Sequence, residues 1–282
     1  MLKSKRFIFF GLVFLLVSTM AYGQDDPSDS DKWEFEVTPY FWAPAIDADN
    51  TVSGQTSAVD MSFVDIVDAA ATLFGLMARV EAWKGKWGLI FDGVYIDVTI
   101  EDDAQLETPP VSVGIEVEVA QSILDFAVSY RVAEVSLGDN QDTQTGKTTP
   151  ALRFEPIAGL RYNYLKQEIG LDVNVPGVGS RGTTLGGSEE WIDPFVGGRI
   201  LLIVNEKLTF GLRGDVGGFG IGDASDLAWN LILGVGYQPW KRVSLKLAYR
   251  IYDLDYETGS GRDTFGFDGQ MKGPMLGATI YF

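Results

Sequence analysis

The residue types behind most catalytic chemistry are missing from this chain of 282 residues, which contains no histidine and no cysteine. Serine–histidine pairs, thiolate nucleophiles and histidine-ligated zinc or haem are therefore impossible. Carboxylates remain as possible general acids and bases, and Glu155 with Asp193 is the pair that the sequence offers. We expect these carboxylates to pair with Arg161 and Arg199 instead. The sequence thus predicts no enzymatic activity, no catalytic residue, no cofactor site and no metal site.

Glu155 and Asp193 each begin a similar seven-residue segment. Residues 155–161 read EPIAGLR and residues 193–199 read DPFVGGR, so acid, proline and arginine recur at the same places. Both segments fall in predicted strands, where a proline removes a hydrogen-bond donor from the ladder. The prolines therefore indicate bulges or positions near a strand start. The repetition reflects either hairpin duplication or similar local demands, and we favour the second.

The elements that position these residues are strands, because apolar and polar residues alternate with period two from Trp33 onwards. Such alternation over ten or more residues predicts strands with one apolar and one polar face. Ten segments show it, so we predict an all-β, up-and-down antiparallel barrel of about ten strands, with eight or twelve as alternatives. The segments are residues 34–42, 73–83, 87–97, 119–133, 151–165, 190–204, 207–219, 225–238, 242–255 and 268–282.

The polar face of these strands carries charges of both signs, with arginine close to aspartate or glutamate. Forked guanidinium groups suit packed, desolvated ion pairs, whereas the outside of a soluble barrel would be rich in lysine and glutamate. We therefore predict a narrow lumen filled by a structural charge network. Its predicted members are Arg79, Glu81, Asp92, Asp125, Arg131, Arg153, Glu155, Arg161, Asp193, Arg199, Arg213, Asp215, Lys246 and Arg250.

The predicted connections fall into two classes. Residues 83–87, 205–207 and 238–242 read as tight turns, and residues 44–72, 101–118, 166–189, 220–224 and 256–267 read as longer loops. Short turns at one end and long loops at the other are typical of outer-membrane barrels. Residues 134–150 break this alternation, and residues 62–73 indicate a brief helix in the first loop. Acidic loop residues such as Asp47 and Asp49 are either solvated or bind calcium, and we favour the first.

Three observations favour a membrane barrel over a soluble secreted one. The charges on the polar face suit an enclosed lumen, and Trp83, Trp87, Tyr237 and Trp240 cluster at the tight turns, where an interfacial girdle would lie. The longest apolar run of the predicted barrel is ILLIV at 200–204, far shorter than a spanning helix. If the chain is in a membrane, a closed barrel is the remaining fold that satisfies every backbone group.

The N-terminal segment has the layout of a secretory signal peptide. A basic start is followed by about eleven apolar residues and by Ala21-Tyr22-Gly23. We predict a signal peptide over residues 1–23, a polar periplasmic tail over 24–32 and the barrel over 33–282; a retained N-terminal anchor is the alternative. The net charge of −17 argues against nucleic acid as a partner.

Several segments resemble a widespread family of Gram-negative outer-membrane β-barrel proteins. They include TPYFWAPAI, ARVEAWKGKWGLIFDGVYIDV, WIDPFVGGR, LAYRIYDLDY and MKGPMLGATIYF. The family is porin-like and distantly similar to the outer-membrane protein A and W barrels. The resemblance implies a place in the outer membrane among its lipid and lipopolysaccharide. It also implies insertion by the barrel-assembly machinery, which would read Gly277, Ile280, Tyr281 and Phe282 as an assembly signal.

Two functions follow as expectations. The first is a structural or narrow-channel role, because a ten-stranded barrel filled by its own side chains leaves little free volume. The alternative is binding or transport of a small ligand through the barrel mouth, with the glycine-rich residues 175–187 and 214–223 as a rim. The sequence leaves the oligomeric state open.

Overall fold

The computed structural model describes residues 32–62, 64, 73–107, 110–137, 150–175 and 179–282. The predicted signal peptide and all but the last residue of the predicted tail lie outside these ranges. Within them the chain forms thirteen β-strands. They are β1 (Trp33–Trp42), β2 (Ala45–Val52), β3 (Gln55–Met61), β4 (Leu73–Lys84), β5 (Trp87–Glu107), β6 (Pro110–Tyr130), β7 (Ala133–Ser136), β8 (Ala151–Val175), β9 (Gly179–Ile203), β10 (Leu208–Gly218), β11 (Leu227–Trp240), β12 (Val243–Thr258) and β13 (Phe265–Tyr281).

Ten of these strands close into an antiparallel barrel. Their order around the barrel is β1-β4-β5-β6-β8-β9-β10-β11-β12-β13, and β1 pairs with β13 to complete the ring. The register at this seam places Glu36 opposite Tyr281 and Trp42 opposite Met275. This pairing covers the edges that β1 and β13 would otherwise expose. The predicted fold class and the predicted count of ten strands are therefore confirmed.

The two ends of the barrel differ as predicted. At one end, here called the turn end, Lys84 and Trp87 enclose a two-residue turn, and residues 204–207 and 241–242 make the other short connections. Trp33 and Phe282 also lie at this end. The backbones of Phe35 and Phe282 exchange two hydrogen bonds there. The opposite end is called the loop end.

The prediction of long loops was wrong for residues 101–118 and 166–189. Both segments continue their strands, so β5–β6 and β8–β9 are long hairpins, in which pairing extends to Glu107 with Pro110 and to Val175 with Gly179. Strands β8 and β9 each have 25 residues, which is about 80 Å at roughly 3.3 Å per residue. Alternating valine and isoleucine, as in VSVGIEVEV at 111–119, favour strand in spite of the acidic residues between them.

The first connection also contains strand. Strand β2 continues along β13 in the register of β1, and β3 folds back onto β2. Strand β7 pairs with the start of β8, which accounts for part of the irregular segment 134–150. Most of the predicted helix over residues 62–73 lies outside the described residues. Among the described residues, no helix is long and apolar enough to cross a membrane.

The two similar segments noted in the sequence lie side by side. Strands β8 and β9 pair so that Glu155 is opposite Arg199 and Arg161 is opposite Asp193. Both prolines lie inside the continuous β8–β9 ladder. On the other side of β8 the register shifts by one residue between the Ser129–Ile157 and Ala133–Phe154 pairs, so the expected bulge occurs opposite Pro156 but not at Pro194. Each proline sits where one neighbouring ladder has just ended, next to the last β6–β8 and β9–β10 pairs. A missing N–H is tolerated at such positions because the regular ladder is interrupted opposite Pro156 and ends beside Pro194.

Candidate functional site: the interior of the barrel

Thirteen of the fourteen residues of the predicted charge network lie on inward-facing positions of their strands, and the fourteenth, Arg131, follows β6 directly and also reaches the lumen. The strand registers bring most of them together in two layers that cross the lumen. The remainder lie above or below these layers: Asp193 faces the loop end, whereas Arg153 and Lys246 face the turn end.

The central layer is a closed set of arginine–aspartate contacts. Arg161 donates from Nε to Oδ1 of Asp125 and from Nη2 to Oδ1 of Asp215, both at 2.7 Å. Arg213 bridges the same two carboxylates, with Nη2 2.8 Å from Asp125 and Nε 3.1 Å from Asp215. These four side chains are at most 6% exposed. Such a layer fills the section of the lumen that it crosses.

Polar partners extend the central layer to the seam of the barrel. Arg250 donates to Oδ1 of Asn230 at 2.9 Å, and Asn230 in turn donates to Asp215 at 3.0 Å. Asp92 accepts hydrogen bonds from Arg79 and from the hydroxyl of Tyr40. These buried charges are thus hydrogen-bonded as well as paired. Both kinds of contact offset the free-energy cost of removing the charges from water.

A second layer lies nearer the turn end. Arg199 donates from both terminal nitrogens to Glu81, at 2.8 and 2.9 Å, and from Nε to Glu155 at 2.7 Å. The indole of Trp83 donates to Glu81 at 3.0 Å, and the guanidinium of Arg131 lies 3.9 Å from the centre of its ring. Bidentate geometry of this kind fixes both partners of the pair.

Trp83 was predicted in the interfacial girdle, and this prediction was wrong. It is opposite Gly88 in the β4–β5 ladder and only 1% exposed, with its ring packed on that glycine inside the lumen. Trp87, four residues later, is paired with Lys84 across the two-residue turn. It therefore shares the outer face with Lys84 and not the inner face with Trp83. Proximity in sequence to a turn therefore does not place a tryptophan in the girdle.

Asp193 anchors a loop rather than an arginine. Its carboxylate accepts hydrogen bonds from the backbone N–H and hydroxyl of Ser225, at 2.8 and 2.9 Å, and from Asn163 at 2.8 Å. Trp191 also donates to the hydroxyl of Ser225 at 2.7 Å. Asp193 and Ser225 are both fully buried. The connection over residues 219–226 is thus held against the lumen at the loop end.

The lumen above the central layer is filled by apolar side chains. Trp191 and Tyr256 stack with ring centres 3.7 Å apart, and Phe265, Phe267 and Met271 pack in the same cluster. Each of these residues is at most 6% exposed. The barrel is therefore closed at its loop end by a small hydrophobic core. The glycine-rich segments 175–187 and 214–223 do not form an open rim in the described part of the chain, because residues 179–187 and 214–218 belong to strands.

A cavity opens at the turn end. It has a volume of about 810 Å³ and reaches from the rim up to Arg79 and Arg213. Eight arginine and lysine side chains line it against five glutamates. Lys246 and Glu36 face it and attract each other across it. We call this cavity the vestibule. Sequence alternation put its charges inside but carried no signal for the empty space.

The outer surface of the barrel is an apolar band. Leu89, Phe126, Leu160, Leu233 and Leu276 are between 52% and 61% exposed, and all lie on outward positions. On β12 the band runs from Val243 to Ile251, and on β13 from Pro274 to Phe282, nine residues in each case. Beyond it the outward positions become polar. Examples are Asp47, Asp97, Glu190, Asp253 and Lys272.

Aromatic rings line the turn end of this band. Trp33, Trp87, Tyr237 and Trp240 point outwards and are 47–61% exposed, and the ring of Trp87 packs 4.7 Å from that of Tyr130. Among the residues of the predicted assembly signal, Ile280 and Phe282 point outwards, whereas the hydroxyl of Tyr281 faces Ser244 inside. Gly277 gives room for Tyr40, because a Cβ there would lie 2.9 Å from that of Tyr40.

Acidic residues in the described part of the chain do not form a metal site, since no group of three or more has the required arrangement. Asp47 and Asp49, considered above as calcium ligands, lie in strand β2 and pair with Gln270 and Asp268 of β13.

No known protein-family model matches this chain, and no curated protein is similar to it in sequence. Solved structures with a similar fold include the attachment invasion locus protein Ail of Yersinia pestis, with 11% identity and a TM-score of 0.33 over 89% of this chain and 99% of Ail. The translocator domain of the autotransporter NalP from Neisseria meningitidis has 11% identity and a TM-score of 0.33, over 97% of this chain and 95% of that domain. The toluene transporter TodX of P. putida has 10% identity and a TM-score of 0.26, over 91% and 90%. At these TM-scores none of the similarities supports an inference about what this chain binds or transports.

Proposed function

We propose that this chain is an integral outer-membrane barrel with a sealed lumen and a structural role. The observation that carries the proposal is the apolar band, because its length of nine strand residues, five of them outward, matches the roughly 9–11 residues that a tilted membrane-spanning strand needs. In water such a surface would be an aggregation liability. The aromatic residues at the turn end suit the boundary between lipid tails and headgroups.

The sealed lumen distinguishes this proposal from an open porin. The central layer and the apolar cluster above it lie in series, so a solute moving through the barrel would have to displace both. Larger barrels of about 16–18 strands leave an aqueous channel, whereas small barrels are filled by side chains. We propose no catalytic role, and the lumen charges act as the packed core of the barrel.

The orientation follows from the two ends. Short turns face the periplasm in barrels of this plan, so the vestibule opens to the periplasm and the long β5–β6 and β8–β9 hairpins project from the cell. Export by the N-terminal segment, cleavage after Gly23 and insertion by the assembly machinery remain predictions.

Cell fractionation combined with gel migration tests this proposal. We expect the protein in the outer-membrane fraction, and we expect unboiled protein to migrate differently from boiled protein because a closed barrel resists dodecyl sulfate. Recovery in the soluble periplasmic fraction, with one gel mobility before and after boiling, would contradict the membrane proposal.

A second candidate function rests on the vestibule. Eight arginine and lysine side chains line it against five glutamates, and because Arg79 and Arg213 are already paired with aspartates of the central layer, one positive charge is left in excess. In a chain of net charge −17, this excess favours a small anionic solute entering from the turn side. Calorimetric titration of the purified protein with citrate tests this. We expect binding that Lys246→Gln weakens, with Lys272→Gln on the outer wall as the control. Absence of binding, or equal weakening by both variants, would exclude the candidate.

A further inference from the structure

A groove runs across the outer wall of the barrel near the turn end. Its volume is about 410 Å³, and it crosses strands β4, β5, β6 and β8. The small side chains of Ala82 and Ala158 line it together with those of Leu89, Phe91, Phe126 and Leu160. All six point outwards, within the apolar band. The rings of Phe91 and Phe126 lie 4.9 Å apart and form one side of it.

The shape of the groove follows from the order of small and large residues. Leu89 is paired with Ala82 on one side and with Val128 on the other, and Val128 is paired with Ala158. Ala82 and Ala158 stand at the two ends of this row. Their small side chains leave a depression beside the larger side chains of Leu89, Phe126 and Leu160. Every side chain that lines it is apolar, so it suits a hydrocarbon chain and not a solute with hydrogen-bonding groups.

The surface just below the groove changes character over a few residues. Trp87 and Tyr130 pack against each other one alternation step nearer the turn, 4.7 Å apart. Lys84 and Lys86 follow at the turn itself and are both exposed. From the turn upwards the order is therefore cationic, aromatic, apolar. A phospholipid with an anionic headgroup has parts in the matching order, namely the headgroup, the ester region and the acyl chains, and basic residues attract its headgroup.

We infer that the groove is a binding site for an anionic phospholipid of the membrane leaflet at the turn end. One acyl chain lies between Phe126 and Leu160 over Ala158. The ester region lies against Trp87 and Tyr130, and the headgroup phosphate lies near Lys84 and Lys86. The inference rests on the proposed membrane location, because only a lipid leaflet brings such a chain to this wall.

A second copy of the chain is the competing occupant of an apolar groove. The two lysines at its lower end argue against it, since a two-fold contact would bring like charges together from both copies. An anionic headgroup has the opposite sign and offsets their charge. The groove is also one depression in a continuous band, and a lipid chain fills a depression without needing a matching protein surface.

Native mass spectrometry of the full-length protein in nonionic detergent tests the inference, with phosphatidylglycerol and phosphatidylethanolamine as probes. We expect a retained adduct with phosphatidylglycerol. Ala158→Phe should lower its occupancy about tenfold, the effect of losing roughly two buried methylenes. Ala278→Phe, on the outward face of β13, is the matched control and should leave the adduct unchanged. The double variant Lys84→Gln/Lys86→Gln should remove the preference for phosphatidylglycerol, whereas Lys207→Gln/Lys241→Gln at the other turns should not.

Each outcome decides between the occupants. Equal losses from Ala158→Phe and Ala278→Phe, or no preference between the two lipids, would overturn the inference. Dimers that Ala158→Phe disrupts would assign the groove to a second copy. All variants are first checked for heat-modifiable migration and membrane fractionation. A wild-type protein that passes these checks and binds no lipid defeats the inference alone, whereas failure of the checks by the wild type defeats the membrane proposal itself.

Discussion

Arg161 on β8 and Asp125 on β6 form a two-pronged ion pair inside the barrel, with Nε 2.7 Å from Oδ1 and Nη2 3.2 Å from Oδ2. Arg161 is 0% and Asp125 is 1% exposed. Because the same guanidinium also reaches Asp215 on β10, one side chain joins three strands across the lumen. This contact organises the central layer.

Replacing Arg161 should destabilise the barrel strongly. Arg161→Leu leaves Asp125 and Asp215 buried with Arg213 as their shared cation, and breaking a buried pair typically costs about 3–5 kcal/mol. The free energy of unfolding in urea, measured in lipid vesicles, checks this. Arg153→Leu is the control, since its partner Glu134 is half exposed and such pairs contribute about 1 kcal/mol or less. Similar losses in both variants would contradict a buried central layer.

Removing the hydroxyl of Ser225 should release the loop over residues 219–226. Ser225→Ala loses the hydrogen bonds to Asp193 and Trp191 and leaves their buried groups short of partners, at about 1–3 kcal/mol. We expect faster amide hydrogen exchange and faster protease cleavage in this loop, with the barrel strands unchanged. Ser260→Ala is the control, because the Ser260 side chain caps no helix end. A loop as protected as in the wild type would show that Asp193 does not hold it.

Gly88 should tolerate no side chain, because Trp83 packs on it. A Cβ at Gly88 would lie 2.7 Å from the indole ring, whereas one at Gly236, also inward, would meet nothing closer than 3.9 Å. Gly88→Ala should therefore cost about 1–3 kcal/mol and disturb the bond from Trp83 to Glu81. Gly236→Ala should be close to neutral. Urea unfolding measures the difference, and equal effects would place Trp83 elsewhere.

Stability at the loop end should depend on pH through Asp255. Burial and then the carboxylates of Asp268, Asp226, Asp253 and Glu257 raise the pKa of Asp255 above its usual 3.8. The folded state therefore binds this proton more readily than the unfolded one. The resulting penalty is fully present at pH 7 and is relieved as the pH falls through the raised pKa.

Asp255→Asn tests this sign. The variant should be more stable than the wild type at pH 7, and the difference should shrink as the pH falls through the raised pKa, as measured by the urea midpoint across a pH series. Asp263→Asn, on the nearby exposed turn after β12, is the control for removing a carboxylate at the loop end. A wild type that loses stability relative to Asp255→Asn on acidification would contradict the repulsion.

The sequence predicted the barrel because alternation of side chains is a local property. It placed Arg161, Asp125 and Arg199 on inward faces, since each lies an even number of residues from other polar positions on its strand. Which charges meet depends on the stagger between strands. The pairing of Arg161 with Asp125, and of Arg199 with Glu81 across the lumen, could not be read from spacing.

The errors have physical causes of the same kind. The hairpin extensions were taken for loops because acidic residues were weighed above valine and isoleucine. Trp83 was grouped with Trp87 because both lie next to the same turn. The pairing across the turn joins Trp87 to Lys84, so Trp83 and Trp87 lie on opposite faces. The vestibule and the outer groove are empty spaces, set by side-chain sizes on strands that are far apart in sequence. Asp193 was expected to face an arginine, and its hydrogen bonds to Ser225 arise from a loop 32 residues away.

Conductance measured across planar bilayers tests the central claim, a membrane barrel sealed by its own side chains, most directly. The refolded protein is delivered from vesicles in which unboiled samples migrate as closed barrels, so that insertion is established beforehand. We predict no sustained channel current at moderate voltage, because the central layer and the apolar cluster above it close the lumen in series. Steady currents of the size that open porins give, arising from the inserted wild type, would contradict the account.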